Sequence, residues 1–247
     1  SLRKYGEPIP SVFEHSQKML AISPPAKKER VTVSEELCTT AVQQVIAKTG
    51  LPPVAISFSE EYLSGFAFDA TGLRIKTPVR LYKHELQTHY LRRANGAITG
   101  LRTNNSVLCK FTEEGLAGLH SFIEDPQPIM TKTYLNYVGM YRATTESFVS
   151  IFETLMQYGV DSERAWIQTV KNKRGITDTS KGGGSTLAKT YLEGAVRASN
   201  WIAHNNPKLL FLGRLGIEEI EQLPAEITQA QRSDLYLPSF FRSLEEY

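Results

Sequence analysis

Two histidines and a glutamate fall within six positions in His84-Glu85-Leu86-Gln87-Thr88-His89, and their spacing restricts the backbone that can carry them. Zinc takes imidazole nitrogens readily, and a catalytic zinc has three protein ligands and one open position. A glutamate directly after the first histidine is the usual residue to take a proton from water in such sites. In the familiar H-E-x-x-H spacing both imidazoles share a helix face. Here they are five apart and differ by roughly 140° on an ideal α-helix. Both reach one ion only if the helix widens into a π-bulge or ends near His89. A surface helix that merely carries two histidines is the competing reading, and spacing alone favours it.

A third ligand has to come from elsewhere. Phe111-Thr112-Glu113-Glu114-Gly115-Leu116-Ala117 reads as the start of a second helix, with Thr112 as N-cap and two acids in the first turn. Either carboxylate is a candidate ligand, and Gly115 would let another backbone approach closely. In isolation the motif is an ordinary helix start. Placed downstream of the two-histidine helix, it points to a metal site.

Around these motifs the chain reads as a mostly helical α+β domain with a small sheet in its N-terminal part. Residues 1–33, rich in proline and charge, form an N-terminal arm with one short helix around 12–20; residues 34–247 form a single domain. Ser34 starts a helix that runs to Gly50. Segments 54–59 and 73–76 read as strands, with 66–68 as a third and 69–72 as a turn. A helix is expected over 79–94, ended by Asn95-Gly96. Beyond Thr112 the pattern predicts helices over 112–123, 131–158, 161–173, 186–204 and 215–222.

Hydrophobic residues at 41% and charged residues at 22% describe an ordinary globular chain. A net charge of +2 gives no reason to invoke nucleic acid or anionic lipid as partner. No apolar run approaches the roughly 18 residues a membrane span needs. Two cysteines, Cys38 and Cys109, are too few for a disulfide scaffold, so a reducing, cytoplasmic setting is expected and both read as buried thiols. The start, Ser1-Leu2-Arg3-Lys4, has no apolar signal region and no initiating methionine, from which we expect a trimmed upstream segment.

The stretches His84–Tyr90, Thr112-Glu113-Glu114-Gly115-Leu116-Ala117-Gly118-Leu119-His120, Lys173-Arg174-Gly175-Ile176-Thr177-Asp178-Thr179-Ser180 and Tyr191-Leu192-Glu193-Gly194-Ala195-Val196 occur in that order. Together with Leu212-Gly213-Arg214-Leu215-Gly216-Ile217 they resemble the microtubule-associated tyrosine carboxypeptidases and their bacterial relatives with a Q-E-G-L-A motif. The resemblance spans roughly residues 35–240. These are zinc carboxypeptidases of zincin-like layout, and the animal members remove the C-terminal tyrosine of α-tubulin. Carried over by position, the resemblance makes His84, His89 and Glu114 the ligands of Zn2+, Glu85 the general base, and Glu113 a supporting or capping residue. It implies metal-assisted hydrolysis of a C-terminal peptide bond, with a protein or peptide C-terminus, such as a tubulin-like tail, as substrate. The connector from His89 to Glu114 is shorter than in the animal members, and Gln87 stands where glycine is usual. Substrate preference is left open by both departures.

A carboxypeptidase also needs a cation for the free α-carboxylate, and arginine suits a bidentate grip. Arg174 is the candidate, with Lys171 and Lys173 beside it; a solvated helix C-terminus is an equal reading of that run. Tyr191 is a candidate hydrogen-bond donor to the oxyanion, with a core tyrosine as the plainer alternative. Asp178 and Thr179 either orient these cations or form a turn. His120 reads as packed and His204 as part of a helix end. The alternative to an enzyme is a catalytically inactive metal-binding interaction module, which would need the ligands but no base.

Overall fold

The computed structural model describes residues 2–25, 33–61, 66–68, 72–76, 84–101, 106–124, 126–229 and 234–241. Among the described residues the first third holds the helices α1 (Leu2–Tyr5), α2 (Pro10–Ile22) and α3 (Glu35–Thr49) and the short strands β1 (Ile56–Phe58), β2 (Phe66–Phe68) and β3 (Leu73–Ile75). β3 lies in the middle of the sheet, parallel to β1 and antiparallel to β2, in the order β1-β3-β2. The start of α3 follows from Ser34, whose hydroxyl accepts the Leu37 N–H at 3.1 Å, and its end from Gly50 at φ 73°. The turn expected at 69–72 lies outside the described residues apart from Gly72, as does the expected helical stretch 79–83.

Next come a π-helical segment, Glu85–Tyr90, and its continuation α4 (Leu91–Thr99), then α5 (Val107–Glu124), α6 (Pro126–Ala143), α7 (Phe148–Gln157), α8 (Ser162–Asn172) and α9 (Lys189–Ile202). A 3-10 turn (Pro207–Phe211) and the short helices α10 (Ile217–Ile220) and α11 (Ala225–Gln229) follow.

Three expected boundaries move. Asn95-Gly96 does not end its helix. The Asn95 amide is buried, donating to the carbonyls of Phe211 at 2.8 Å and Tyr236 at 2.7 Å, and the helix runs on to Gly100 at φ 75°. Thr112 is not an N-cap but lies inside α5, where its hydroxyl accepts the Ile217 N–H at 3.0 Å. The side chain at the true start is Ser106, whose oxygen accepts the Cys109 N–H at 2.9 Å. The helix expected over 131–158 breaks at Thr144–Ser147, because Ser147 caps α7 by accepting the Ser150 N–H.

Two apolar cores share α9. One joins Val42 and Ile46 of α3, Leu73 and Ile75 of β3, Leu86, Leu91, Leu116, Trp201 and Phe211. The other joins Leu20 of α2, Tyr137 and Met140 of α6, Ile151, Leu155, Ala165 and Leu192. The expected N-terminal arm therefore contributes to a core, and Phe13 stacks on Tyr141 with ring centroids 4.0 Å apart. α9 crosses α5 at glycine on glycine: a Cβ on Gly115 would stand 2.0 Å from the Gly194 carbonyl carbon. That close approach, expected from the glycine after Glu114, sets Tyr191 of α9 beside Glu114 of α5.

Candidate metal centre

The segment that carries the histidines is wound as a π-helix, which resolves their five-residue spacing. The Leu91 N–H donates to the Leu86 carbonyl, five residues back, so each turn takes in more residues than an α-turn and His89 swings round toward His84. The two rings lie 5.1 Å apart between centroids at 62°. Side chains from elsewhere hold this wide turn. Thr88 Oγ1 lies 2.6 Å from His120 Nδ1, both buried. Gln87, also buried, accepts the N–H and hydroxyl of Ser239 at 2.8 and 3.0 Å.

α5 brings the carboxylates. Ligand atoms of His84, His89 and Glu114 all lie within 4.8 Å of one another. Four ligands at zinc's bond lengths sit about 3.3 Å apart around a tetrahedron, so the three need close only slightly to share an ion. Two imidazoles and one carboxylate are also the donor set of known catalytic zinc sites. His84 Nδ1 is 3.0 Å from Ser121 Oγ, and His89 Nδ1 is 3.5 Å from Glu113 Oε1. With both Nδ1 atoms engaged in this way, the Nε2 atoms are those left for an ion. Among the described residues the group fits a metal.

Glu113 takes a supporting place: Arg214 donates to it twice, from Nε at 3.0 Å and Nη2 at 2.8 Å. Although Glu113 is buried, His89 and Arg214 hold its carboxyl far below the usual range. Burial acts on Glu114 in the same upward sense, but His89 and Lys110 win and keep it ionised; Lys110 Nζ lies 2.5 Å from its Oε1. Burial would lower His89 as well, yet the hydrogen bond to Glu113 and the field of Glu114 raise it. Burial, with His89 nearby, brings His84 down to about 4, so it is neutral near pH 7.

Glu85 turns its Oε1 to within 3.9 Å of His84 Nε2, and burial pushes its carboxyl up to about 7. A base matched to neutral pH is what proton transfer from water favours. Tyr191 lines the same cavity; burial and a hydrogen bond to Glu114 raise its phenol, so it stays a donor.

The expected carboxylate clamp is elsewhere. Arg174 and Lys171 are exposed, and Lys173 is buried with its ammonium donating to the carbonyls of Ala143, Glu146, Lys181 and Gly183. A lysine at the end of α8 thus ties the Thr144–Ser147 turn to the glycine loop. Asp178 makes a turn, accepting the Ser180 N–H at 3.1 Å and hydroxyl at 2.6 Å. The cations that do line the cavity of about 280 Å³ are Arg93, Lys110 and Arg214. Lys110 and Arg93 stand one turn from Glu114 and His89 on the same helices, a spacing that sequence reading can exploit. Arg214 is brought in from a distant segment. His120 is packed, stacked on Phe211 and edge-on to Phe240, and Cys38 and Cys109 are buried free thiols.

No family model matches the chain. It is 32% identical over 233 residues to the "Microtubule-associated tyrosine carboxypeptidase 1" of Homo sapiens, covering 88% of this chain and 44% of that protein. It is 28% identical over 226 residues to the "Putative tyrosine carboxypeptidase MATCAP2" of Homo sapiens, covering 87% of this chain and 40% of that protein. The chain thus spans less than half the length of the curated relatives it matches.

Proposed function

Because the chain belongs to the microtubule-associated tyrosine carboxypeptidase family, we propose that it is a zinc carboxypeptidase of zincin-like layout. His84, His89 and Glu114 hold the metal, and the bond cleaved is the last peptide bond of a protein or peptide. The names of the relatives favour a C-terminal tyrosine as the residue released, and a tubulin-like tail in a cytoplasmic setting as substrate. The observation that carries the proposal is the convergence of three ligands around a cavity with Glu85 beside them.

Zinc bound there would supply a Lewis acid that polarises the scissile carbonyl and acidifies water. Glu85 accepts the proton of the attacking water and returns it to the departing amine. Glu113 holds the His89 ring through Nδ1, with Arg214 keeping that carboxylate in place. Tyr191 stays protonated, and in this reading its hydroxyl donates to the negative charge that develops on the carbonyl oxygen. Arg93, exposed at the cavity and in no hydrogen bond or ion pair among the described residues, is the cation for the α-carboxylate.

Metal analysis with peptide hydrolysis tests the proposal. About one zinc per chain is expected, lost in His84→Ala and kept in Glu85→Gln, while turnover falls by at least about 100-fold in Glu85→Gln. Full turnover in Glu85→Gln would remove the mechanism. A metal-binding module without turnover has no use for Glu85, whose burial beside the ligands argues for chemistry.

A further inference from the structure

A buried, irregular stretch of backbone delivers Arg214 to the metal centre. Within residues 210–217 every residue except Arg214 is buried, and Arg214 lines the cavity. Buried backbone outside regular structure has to find partners for its carbonyls elsewhere. One face of α4 supplies them, because Arg92, Asn95 and Thr99 recur at helical spacing. Arg92 Nε donates to the Leu210 carbonyl at 2.9 Å, and its Nη2 to that of Leu215 at 2.5 Å. The Asn95 amide donates to Phe211 at 2.8 Å, and Thr99 Oγ1 to Leu212 at 2.7 Å. Gly213 is seated so tightly that a Cβ there would stand 2.3 Å from the Leu101 carbonyl oxygen. The stretch is thus gripped on both sides of Arg214.

Stability alone is a poor reason for Arg92 to be there. It is fully buried, its Nη1 has no hydrogen-bond partner among the described residues, and neither bond it makes goes to a carboxylate. Desolvating a charge is costly, and an apolar side chain of similar volume often serves stability as well. What an apolar side chain cannot do is fork between the carbonyls of Leu210 and Leu215 and fix the turn between them. That turn carries Arg214, whose Nε and Nη2 reach Glu113 at 3.0 and 2.8 Å. Glu113 Oε1 in turn lies 3.5 Å from His89 Nδ1. His89 precedes Arg92 on the segment that continues into α4. The contacts close a ring, from His89 along its own helix to Arg92, across to Arg214, and back through Glu113.

We propose that Arg92 is a positioning residue for the metal centre: by clamping Leu210–Leu215 it fixes Arg214 on Glu113, and so the angle at which the His89 ring offers Nε2. The clamp rests on the geometry above; its consequence for zinc rests on the metal site proposed for His84, His89 and Glu114. Losing the partner behind a ligating histidine weakens metal binding roughly 10–100-fold. Arg92 acts through such a partner without touching the ring, so its loss belongs at the low end, about tenfold.

Zinc affinity by competition with a chelator, and the absorption spectrum of the Co2+ form, read this on the full 247-residue chain without any substrate. Arg92→Met, which fills similar volume without the fork, should weaken zinc binding about tenfold and alter the Co2+ spectrum. Arg92→Lys keeps the charge but cannot fork, and should recover little of that loss. In an Arg214→Met background, adding Arg92→Met should weaken binding by less than about twofold more, because the two residues act in series. Unchanged zinc affinity in Arg92→Met, full affinity in Arg92→Lys, or losses that multiply in the double variant would each overturn the proposal. Should Arg92→Met fail to fold, Thr99→Val decides: a loss of about threefold that vanishes in the Arg214→Met background is expected, and no loss overturns the clamp. If the parent chain binds no zinc, the metal site falls and takes the role at zinc with it. Exchange of the Arg214 Nε–H, followed by NMR and expected about tenfold faster in Arg92→Met, then still decides whether Arg92 places Arg214, and unchanged exchange overturns that.

Discussion

Burial drives Glu85 and His84 in opposite directions. It raises the Glu85 carboxyl from 4.5 to about 7, and with His89 it lowers His84 from 6.5 to about 4. In chelated protein, Glu85 contributes stability that is present below pH 4.5 and lost as pH rises through about 7. His84 contributes stability present above pH 6.5 and lost as pH falls toward about 4. The two slopes oppose each other over most of that range. Glu85→Gln removes one of them, so its chelated form should lose Tm on acidification from pH 6.5 to about 4 more steeply than the parent. Thermal scans across that range check this, and parallel curves would contradict the burial argument. Arg93 makes a separate case. If it grips the α-carboxylate, amidating a peptide's C-terminus should cost on the order of 100-fold in kcat/KM, and Arg93→Ala should lose little more on the amide. Equal cleavage of acid and amide by the parent would point to an endopeptidase.

The π-helical segment and the α5–α9 crossing are the two elements on which the ligand geometry depends. A π-turn is less favourable than an α-turn and persists where its surroundings over-determine it. Here those surroundings include Thr88 against His120 and Gln87 against Ser239. Thr88→Val should let the turn relax toward α-helical winding, swing His89 away and weaken zinc binding about 10–100-fold, with helix content by circular dichroism retained. At the crossing, Gly115→Ala would drive a methyl into the Gly194 backbone, with no flexible side chain to yield. Destabilisation of about 3 kcal/mol or more is expected from such overpacking, read as a shift in denaturation midpoint. A stability unchanged by the alanine would mean the helices can separate without cost.

Across the whole molecule, the metal would tie the segment that carries His84 and His89 to α5, which carries Glu114, adding to a core that already packs the two together through Leu86, Leu91 and Leu116. Three carboxylates, Glu85, Glu113 and Glu114, face one cavity, so a bound cation also relieves repulsion. Chelation should lower Tm on the order of 10 °C relative to protein with zinc far above its Kd, and zinc should restore it. Spacing within one or two segments sufficed for the two histidines as expected ligands, for the demand for a widened helix and for the glycine beside Glu114, while Glu114 over Glu113 as the third ligand rested on the family resemblance. The sequence by itself also carried the mostly helical class and the three strands through their local periodicity. Which cations reach the cavity follows from packing, and for Arg214 from packing alone. The Lys171–Arg174 run looks like a clamp in sequence but ends a helix, where Lys173 satisfies the carbonyls of a turn and a loop. Arg214 reaches Glu113 from 101 residues away. Contacts between segments that far apart are set by which helices cross: Gly115 marks a close approach in the sequence, but not the partner it meets.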